Sequence, residues 1–168
     1  IVGDRGPSAL DWAIMNGERE WGVTVLQANA VMDGGPVWAT RSFPMRAARK
    51  ASLYRNEVTE AATGAVLEAI EKLRKGGFTP EPLDYGRPGV RGCERPLMRQ
   101  EVRRIDWARD TTAAVLAKLR AADSFPGVLD DSLGAPLYLY NGIEERALRG
   151  AAGALLATRH GAVCRATA

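Results

Sequence analysis

Hydrophobic and polar positions near the start of the chain alternate with helical spacing. Leu10, Ala13 and Ile14 would share one side of a helix. Ser8 can cap this helix, and Asp11, three residues further on, can complete a capping box. The pattern therefore predicts a short helix that begins after Ser8 and ends before the next glycine.

Two short apolar runs with strand-like patterns follow. Residues 22–28 are β-branched and apolar between glycine and asparagine, which predicts a strand buried on both faces. Residues 37–43 alternate and predict a second strand. Between them, Asp33-Gly34-Gly35 predicts a tight turn. Asp33 would then lie at the exit of a strand, where open α/β sheets place their chemistry.

The strongest helical pattern runs from residue 52 to residue 74. Glu68 and Lys72 form an i,i+4 pair in the favourable order, and Gly76 and Gly77 end the pattern. The apolar positions recur with a period near 3.6, which predicts one buried side. They are Tyr54, Val58, Ala61, Ala65, Leu67, Ala69, Ile70 and Leu73.

Composition changes after this helix. Residues 76–96 hold four prolines, five glycines and three arginines with little periodicity, which is typical of a linker. We therefore divide the chain into residues 1–78, a linker over 79–99 and a second domain over 100–168. Five arginines recur every four residues across this boundary, and prolines and glycines interrupt them. We expect a solvated segment there, with binding of a coenzyme phosphate or an RNA backbone as the alternative. The five are Arg87, Arg91, Arg95, Arg99 and Arg103.

The second half reads as one helix followed by short strands. Asp110 can cap a helix that continues through Ala122. Apolar runs at 136–140, 154–158 and 162–167 are separated by glycine-containing turns. The only histidine, His160, lies in the tightest of these turns, so we expect a turn residue rather than a catalyst. The pattern predicts a small β-barrel that does not close before the last residue.

Composition narrows the class of protein. The 168 residues are 46% hydrophobic and 26% charged, with a net charge of +3, as in an ordinary globular protein. This charge permits a phosphate-bearing ligand but does not favour nucleic acid as a partner. The two cysteines have neither disulfide-framework nor metal-site spacing, so we expect a reduced, cytoplasmic chain without metal. No apolar run approaches the ~20 residues that span a bilayer, so we expect no membrane partner.

Two short polar segments are candidates for chemistry. Asp33 could act as a general acid or base, although from the local residues alone an ordinary Asp-Gly turn between strands is the preferred explanation. Arg5 lies directly before a predicted helix N-terminus, where backbone N–H groups favour an anion; a surface turn with Asp4 is the alternative.

Three spaced motifs resemble the formyltransferase superfamily, whose members use 10-formyltetrahydrofolate as the formyl donor. They are Asp-Arg-Gly-Pro-Ser with Trp-Ala-Ile at residues 4–14, Trp-Gly-Val-Thr-Val at 21–25 and Met-Asp-Gly-Gly-Pro-Val at 32–37. Residues 104–107 and 125–128 resemble the start of the β-barrel domain that follows several of these enzymes. Within the superfamily, the chain resembles HoxX-type hydrogenase maturation factors most. The implied fold class is α/β, a partial Rossmann-like formyltransferase domain followed by a truncated, OB-like β-barrel domain.

The resemblance also implies roles for individual residues. Asp33 matches the catalytic aspartate of the family, while the family's catalytic asparagine and histidine would precede the first residue. Asn29, Met32 and Gly34 would belong to the loop on the folate side. The segment bordering the acceptor would contain Gly3, Asp4, Arg5 and Gly6.

A HoxX-type protein would transfer the formyl group to coenzyme A and then release carbon monoxide for nickel–iron hydrogenase. The resemblance therefore implies a missing upstream half-domain, a downstream crotonase-like domain and a chain that is inactive alone. Pro36, where methionyl-tRNA formyltransferases often have aspartate, leans away from those enzymes. A methionyl-tRNA-type or sugar-nucleotide formyltransferase remains the second hypothesis, and a non-catalytic binding module the third.

Overall fold

The computed structural model describes residues 4–90, 92–123 and 125–168. A π-helical turn, Tyr54–Val58, joins the helices Lys50–Leu53 and Thr59–Lys75. The helices are α1 (Ala9–Met15), α2 (Lys50–Leu53), α3 (Thr59–Lys75), α4 (Gln100–Arg103) and α5 (Thr112–Ala122). The strands are β1 (Glu20–Leu26), β2 (Val37–Pro44), β3 (Val128–Asp130), β4 (Leu137–Leu139), β5 (Leu155–Arg159) and β6 (Ala162–Arg165). This mixture of helices and small sheets confirms the α/β class.

Helix α1 confirms the first predicted helix but not its capping box. The Ser8 side chain makes no capping hydrogen bond; its Oγ accepts the Met98 N–H instead, at 3.0 Å. Asp11 is buried and forms ion pairs with Arg103 and Lys50. Both polar side chains thus bind later parts of the chain, because those parts pack onto α1 and supply stronger partners than the helix terminus.

The two predicted strands form an antiparallel hairpin. Trp21 pairs with Phe43, and Val25 pairs with Ala39. These residues share the face that packs against the helices. The opposite face is partly exposed, and there the hydroxyls of Thr24 and Thr40 lie 3.3 Å apart. The prediction that β1 is buried on both faces is therefore wrong for the described chain, because helices cover only one side of the hairpin.

Helix α3 packs on this hairpin through its alanines. Ala61, Ala65 and Ala69 are buried, and the last two form a core cluster with Ala39. Leu67, Ile70 and Leu73 are exposed instead. The predicted helix is confirmed, but only the alanine row of its predicted apolar side is buried, since small side chains let the helix backbone lie close to the sheet.

The two halves of the chain share one core cluster. Ala121 of α5 is fully buried among residues that include Leu10 and Leu53. The Asp123 carboxylate accepts the Ala51 N–H at the start of α2, and Arg49 donates to Asn141 Oδ1 at 2.8 Å. Helix α5 thus joins the first half of the molecule to the second.

The second half holds a separate small core and two hairpins. Val128 is fully buried with Ile105 and Val115. Strand β3 pairs with β4, and β5 pairs with β6, both antiparallel. Among the described residues these hairpins do not pair with each other, so no closed barrel is formed. His160 occupies the β5–β6 turn with φ of 48°, which confirms the predicted turn residue.

Residues 79–99, the predicted linker, are fixed to the first half at several places. The N–H of Val37 donates to the Glu81 carbonyl at 2.7 Å, and the Glu81 N–H donates back at 3.0 Å. Further on, Arg95 forms an ion pair with Asp4, and Arg103 is buried against Asp11. Arg91 lies outside the described residues. For Arg95 and Arg103 the expectation of a solvated segment is wrong, because each has a buried aspartate as partner.

Candidate functional site

Asp33 lies in the loop between β1 and β2. The Asn29 side chain accepts the Val31 N–H at 2.9 Å, and the Gly34 N–H donates to the Val31 carbonyl at 3.2 Å. These two short turns place Asp33 in the left-handed region, with φ of 54°. Asp33 is exposed, as is the neighbouring Met32. Aspartate tolerates this conformation better than most residues, and the loop presents it as an exposed side chain.

The two glycines after Asp33 let the loop close on itself. A Cβ on Gly35 would lie 1.7 Å from the carbonyl oxygen of Gln27. A Cβ on Gly34 would lie 2.6 Å from Val31 Cγ1. Both positions require a missing side chain, and the conflict at Gly35 is with backbone, which cannot turn aside. The position of Asp33 therefore depends on Gly35.

A second loop, residues 4–6, is fixed by residues 93–95. The buried Asp4 carboxylate accepts the Cys93 N–H at 2.8 Å and Arg95 Nε at 2.6 Å. The Arg5 N–H donates to the Cys93 carbonyl at 3.0 Å, and the Arg95 N–H donates to the Arg5 carbonyl at 2.9 Å. Gly6 follows with φ of 108°, a conformation that favours glycine. Asp4 is thus a structural residue whose carboxylate is already occupied.

The Arg5 side chain extends from this fixed loop. Its Nη2 lies 3.1 Å from Glu94 Oε2, and its Cζ lies 4.7 Å from the centroid of the Tyr85 ring. Its Nε is buried and has no hydrogen-bond acceptor among the described residues. Since Glu94 is mostly exposed, an arriving anion can compete with it for the guanidinium.

Tyr85 connects the two loops electrostatically. Burial raises the pKa of its phenol, the Arg5 charge opposes that rise, and the charges of Asp33, Asp4 and Glu94 add to it. Both Asp33 and Arg5 therefore act on one aromatic ring. Sequence reasoning missed Tyr85 and Glu94, because nothing in a proline- and glycine-rich segment relates them to residues some 50 to 90 positions earlier.

The structure thus brings together part of the predicted set. Arg5 packs against Tyr85, and the charges of Arg5 and Asp33 both act on the pKa of its phenol. Asn29 and Gly34 shape the Asp33 loop through their hydrogen bonds to Val31, and Met32 is exposed in the same loop. Gly3 lies outside the described residues.

The described residues contain neither a candidate metal site nor a candidate membrane-spanning helix. No group of three His, Cys, Asp or Glu residues in them could hold a metal ion. No helix among these residues is long and apolar enough to cross a membrane.

No family model matches the chain, but comparisons with known proteins find relatives in both sequence and structure. The chain is 47% identical to the hydrogenase maturation factor HoxX of Bradyrhizobium diazoefficiens over 165 residues, which is 98% of the chain and 29% of HoxX. It superimposes on HypX of Aquifex aeolicus in complex with tetrahydrofolic acid with a TM-score of 0.86 and 50% identity, covering 99% of the chain and 29% of HypX. A methionyl-tRNA formyltransferase of Roseiflexus castenholzii is 36% identical over 79% of the chain and 41% of its own length.

These matches define the class first: the chain belongs to the formyltransferase superfamily. Within that superfamily it is similar to the HoxX and HypX maturation factors over nearly its whole length, whereas the match to the methionyl-tRNA enzyme covers about four-fifths of it. The chain spans under a third of HoxX and HypX, so the activity of a whole protein is a matter for proposal.

Proposed function

We propose that this chain supplies the catalytic aspartate of a formyltransferase that takes its formyl group from 10-formyltetrahydrofolate. The observation that carries the proposal is the match to HypX in complex with tetrahydrofolic acid, at 50% identity over 99% of the chain. The presentation of Asp33 at the tip of an exposed loop supports it. Arg5, whose Nε has no acceptor among the described residues, supports a nearby site for an anionic acceptor.

Coenzyme A is the proposed acceptor, because HoxX and HypX match the chain more fully than the methionyl-tRNA enzymes do. The thiol sulfur attacks the formyl carbon, the bond from that carbon to N10 breaks, and the thiol proton ends on N10 of tetrahydrofolate. Asp33 would assist this proton transfer, together with a histidine contributed by residues outside this chain. Formyl-coenzyme A would then release carbon monoxide and regenerate the thiol in a crotonase-like domain, and the carbon monoxide would serve hydrogenase maturation.

The test uses the protein encoded by the reading frame that contains residues 1–168. We expect formation of tetrahydrofolate and formyl-coenzyme A, and a loss of at least about 100-fold in kcat for Asp33→Asn, since a positioned acid or base contributes about 10²–10⁴. Asp131→Asn is the matched control, because Asp131 is exposed and directly follows β3 in the second half of the chain. Full activity of Asp33→Asn would overturn the proposal.

The choice of acceptor separates the alternatives. Transfer to methionyl-tRNA instead of coenzyme A would favour the second function, which the 36% identity to the Roseiflexus enzyme supports. Transfer to a sugar nucleotide would favour the other form of that second hypothesis, a sugar-nucleotide formyltransferase. Absence of transfer to all three acceptors, with folate binding intact, would favour a non-catalytic binding role. Residues 1–168 alone are expected to be inactive, because the proposed histidine is not among them.

A further inference from the structure

The packing of Tyr85 against Arg5 has a consequence for the proposed site. We infer that Tyr85, contributed by the predicted linker, is a positioning residue that holds the Arg5 guanidinium in place for an anionic acceptor. This inference rests on the proposed function and names a residue that the proposed reaction does not itself require.

The first support is the geometry of Arg5. The ring of Tyr85 covers the guanidinium at 4.7 Å, within the range of a cation–π contact. Glu94 holds Nη2 at 3.1 Å from a different part of the same segment. An arginine side chain has many rotamers, so two contacts on one guanidinium reduce the entropy that an incoming anion must otherwise overcome.

The second support is the way the segment itself is fixed. Asp84 Oδ1 accepts the Gly86 N–H at 2.8 Å, which closes a turn around Tyr85. On either side, Glu81 is bonded to Val37, and residues 93–95 are bonded to residues 4–6. Tyr85 therefore lies on a stretch of chain attached at one end to the strand that follows the Asp33 loop and at the other to the Arg5 loop.

The third support is electrostatic. The Arg5 charge lowers the pKa of the Tyr85 phenol, and the Asp33 charge raises it. Asp4 and Glu94 are the other charged groups that act on this pKa, and both carry the same sign as Asp33. The ring covers the face of the Arg5 guanidinium, and such a face contact leaves the N–H edge to Glu94 and to a ligand.

The first test measures the position of the ring without any activity. In the 168-residue chain, the Tyr85 signal is followed by NMR with ring-labelled tyrosine and is assigned by its loss in Tyr85→Phe. Asp33→Asn should lower the pKa of Tyr85, because it removes a negative charge, and Arg5→Gln should raise it. Asp131→Asn should leave it unchanged. A Tyr85 pKa that is unchanged in both Asp33→Asn and Arg5→Gln would overturn the inference.

The second test measures positioning in the protein encoded by the whole reading frame. Tyr85→Leu should raise the KM for coenzyme A about three- to tenfold, the usual range for one lost cation–π contact, with kcat within about twofold. Tyr85→Phe keeps the ring and should stay within about twofold of wild type. Tyr54→Leu removes an exposed tyrosine from the π-helical turn and serves as the matched control.

The two tests fail separately. Equal KM values for Tyr85→Leu and Tyr54→Leu would refute the positioning role even if formyl transfer is present. No transfer to any acceptor would refute the proposed function, and with it the acceptor role of Arg5. The titration would still decide whether the ring lies between Arg5 and Asp33.

Discussion

Replacement of Asp11 by asparagine tests the ion pair that joins α1 to α4. The Asp11 side chain is 7% exposed and that of Arg103 is 9% exposed, so the pair is excluded from water. Lys50 Nζ lies 3.0 Å from the second carboxylate oxygen, but its side chain is 27% exposed. The substitution therefore leaves one buried guanidinium without a counter-charge and one lysine that can turn towards solvent.

The expected loss follows from this burial. Breaking a buried pair by removing one partner costs about 3–5 kcal/mol, because the remaining charge stays desolvated. We expect the lower end, about 3 kcal/mol, since Lys50 can be rehydrated. Arg103 Nε already lacks an acceptor among the described residues, so the guanidinium has few other partners. For a chain of this length the loss corresponds to a fall of roughly 6–12 °C in Tm.

The assay is urea unfolding of the 168-residue chain followed by tryptophan fluorescence. Asp131→Asn, at an exposed site, is the control and should change the free energy of unfolding by less than about 0.5 kcal/mol. The double variant Asp11→Leu with Arg103→Met should recover most of the loss, because two apolar groups need no counter-charge. Equal losses for Asp11→Asn and Asp131→Asn would refute the reasoning.

Three further predictions concern other parts of the molecule. Leu53→Ala should lower the free energy of unfolding by about 2–5 kcal/mol in urea, because Leu53 is fully buried, whereas Leu67→Ala at an exposed site should cost far less. Gly35→Ala should displace the Asp33 loop, since its Cβ would lie 1.7 Å from the Gln27 carbonyl; faster hydrogen exchange of the Gln27 amide, bonded to Pro36 at 2.8 Å, would show it. Asp130 is desolvated, but hydrogen bonds outweigh this and lower the pKa of its carboxyl, so its contribution is present above about pH 4 and is lost as pH falls below; Asp130→Asn should therefore lose less stability than wild type on acidification.

Local sequence patterns predicted where the helices and strands lie in the chain better than they predicted which elements pack against each other. The period of residues 52–74 predicts the helix that α2, the π-helical turn and α3 form over Lys50–Lys75. It does not reveal which apolar row is buried, because Ala65 and Ile70 both satisfy the same period. That choice depends on how closely the hairpin approaches, and hairpin pairing is a long-range property.

The candidate site shows the same difference between local and long-range features. The turn at Asp33 could be predicted because it is contained in adjacent residues, whereas the catalytic role of Asp33 was inferred only from the resemblance to formyltransferases. Asp4 and Asp11 were interpreted as a ligand-side residue and a capping residue, yet their partners, Arg95 and Arg103, are about 90 positions away. The prolines and glycines among the arginines suggested a solvated stretch, since sequence alone does not show which aspartate each arginine meets. Tyr85 carried no local signal for the same reason.

The burial of Ala121 against α1 and α2 bears on how the chain forms during synthesis. Residues 1–78 leave the ribosome before α5 does, but their core cluster includes a residue of α5. The N–H of Ala51 also has no Asp123 carboxylate to bond until that later residue has been made. Because domains generally fold as units while the chain is made, the first half should remain open to proteases and chaperones until α5 has emerged. During synthesis the two halves would then fold together in one late, concerted step rather than in two successive steps.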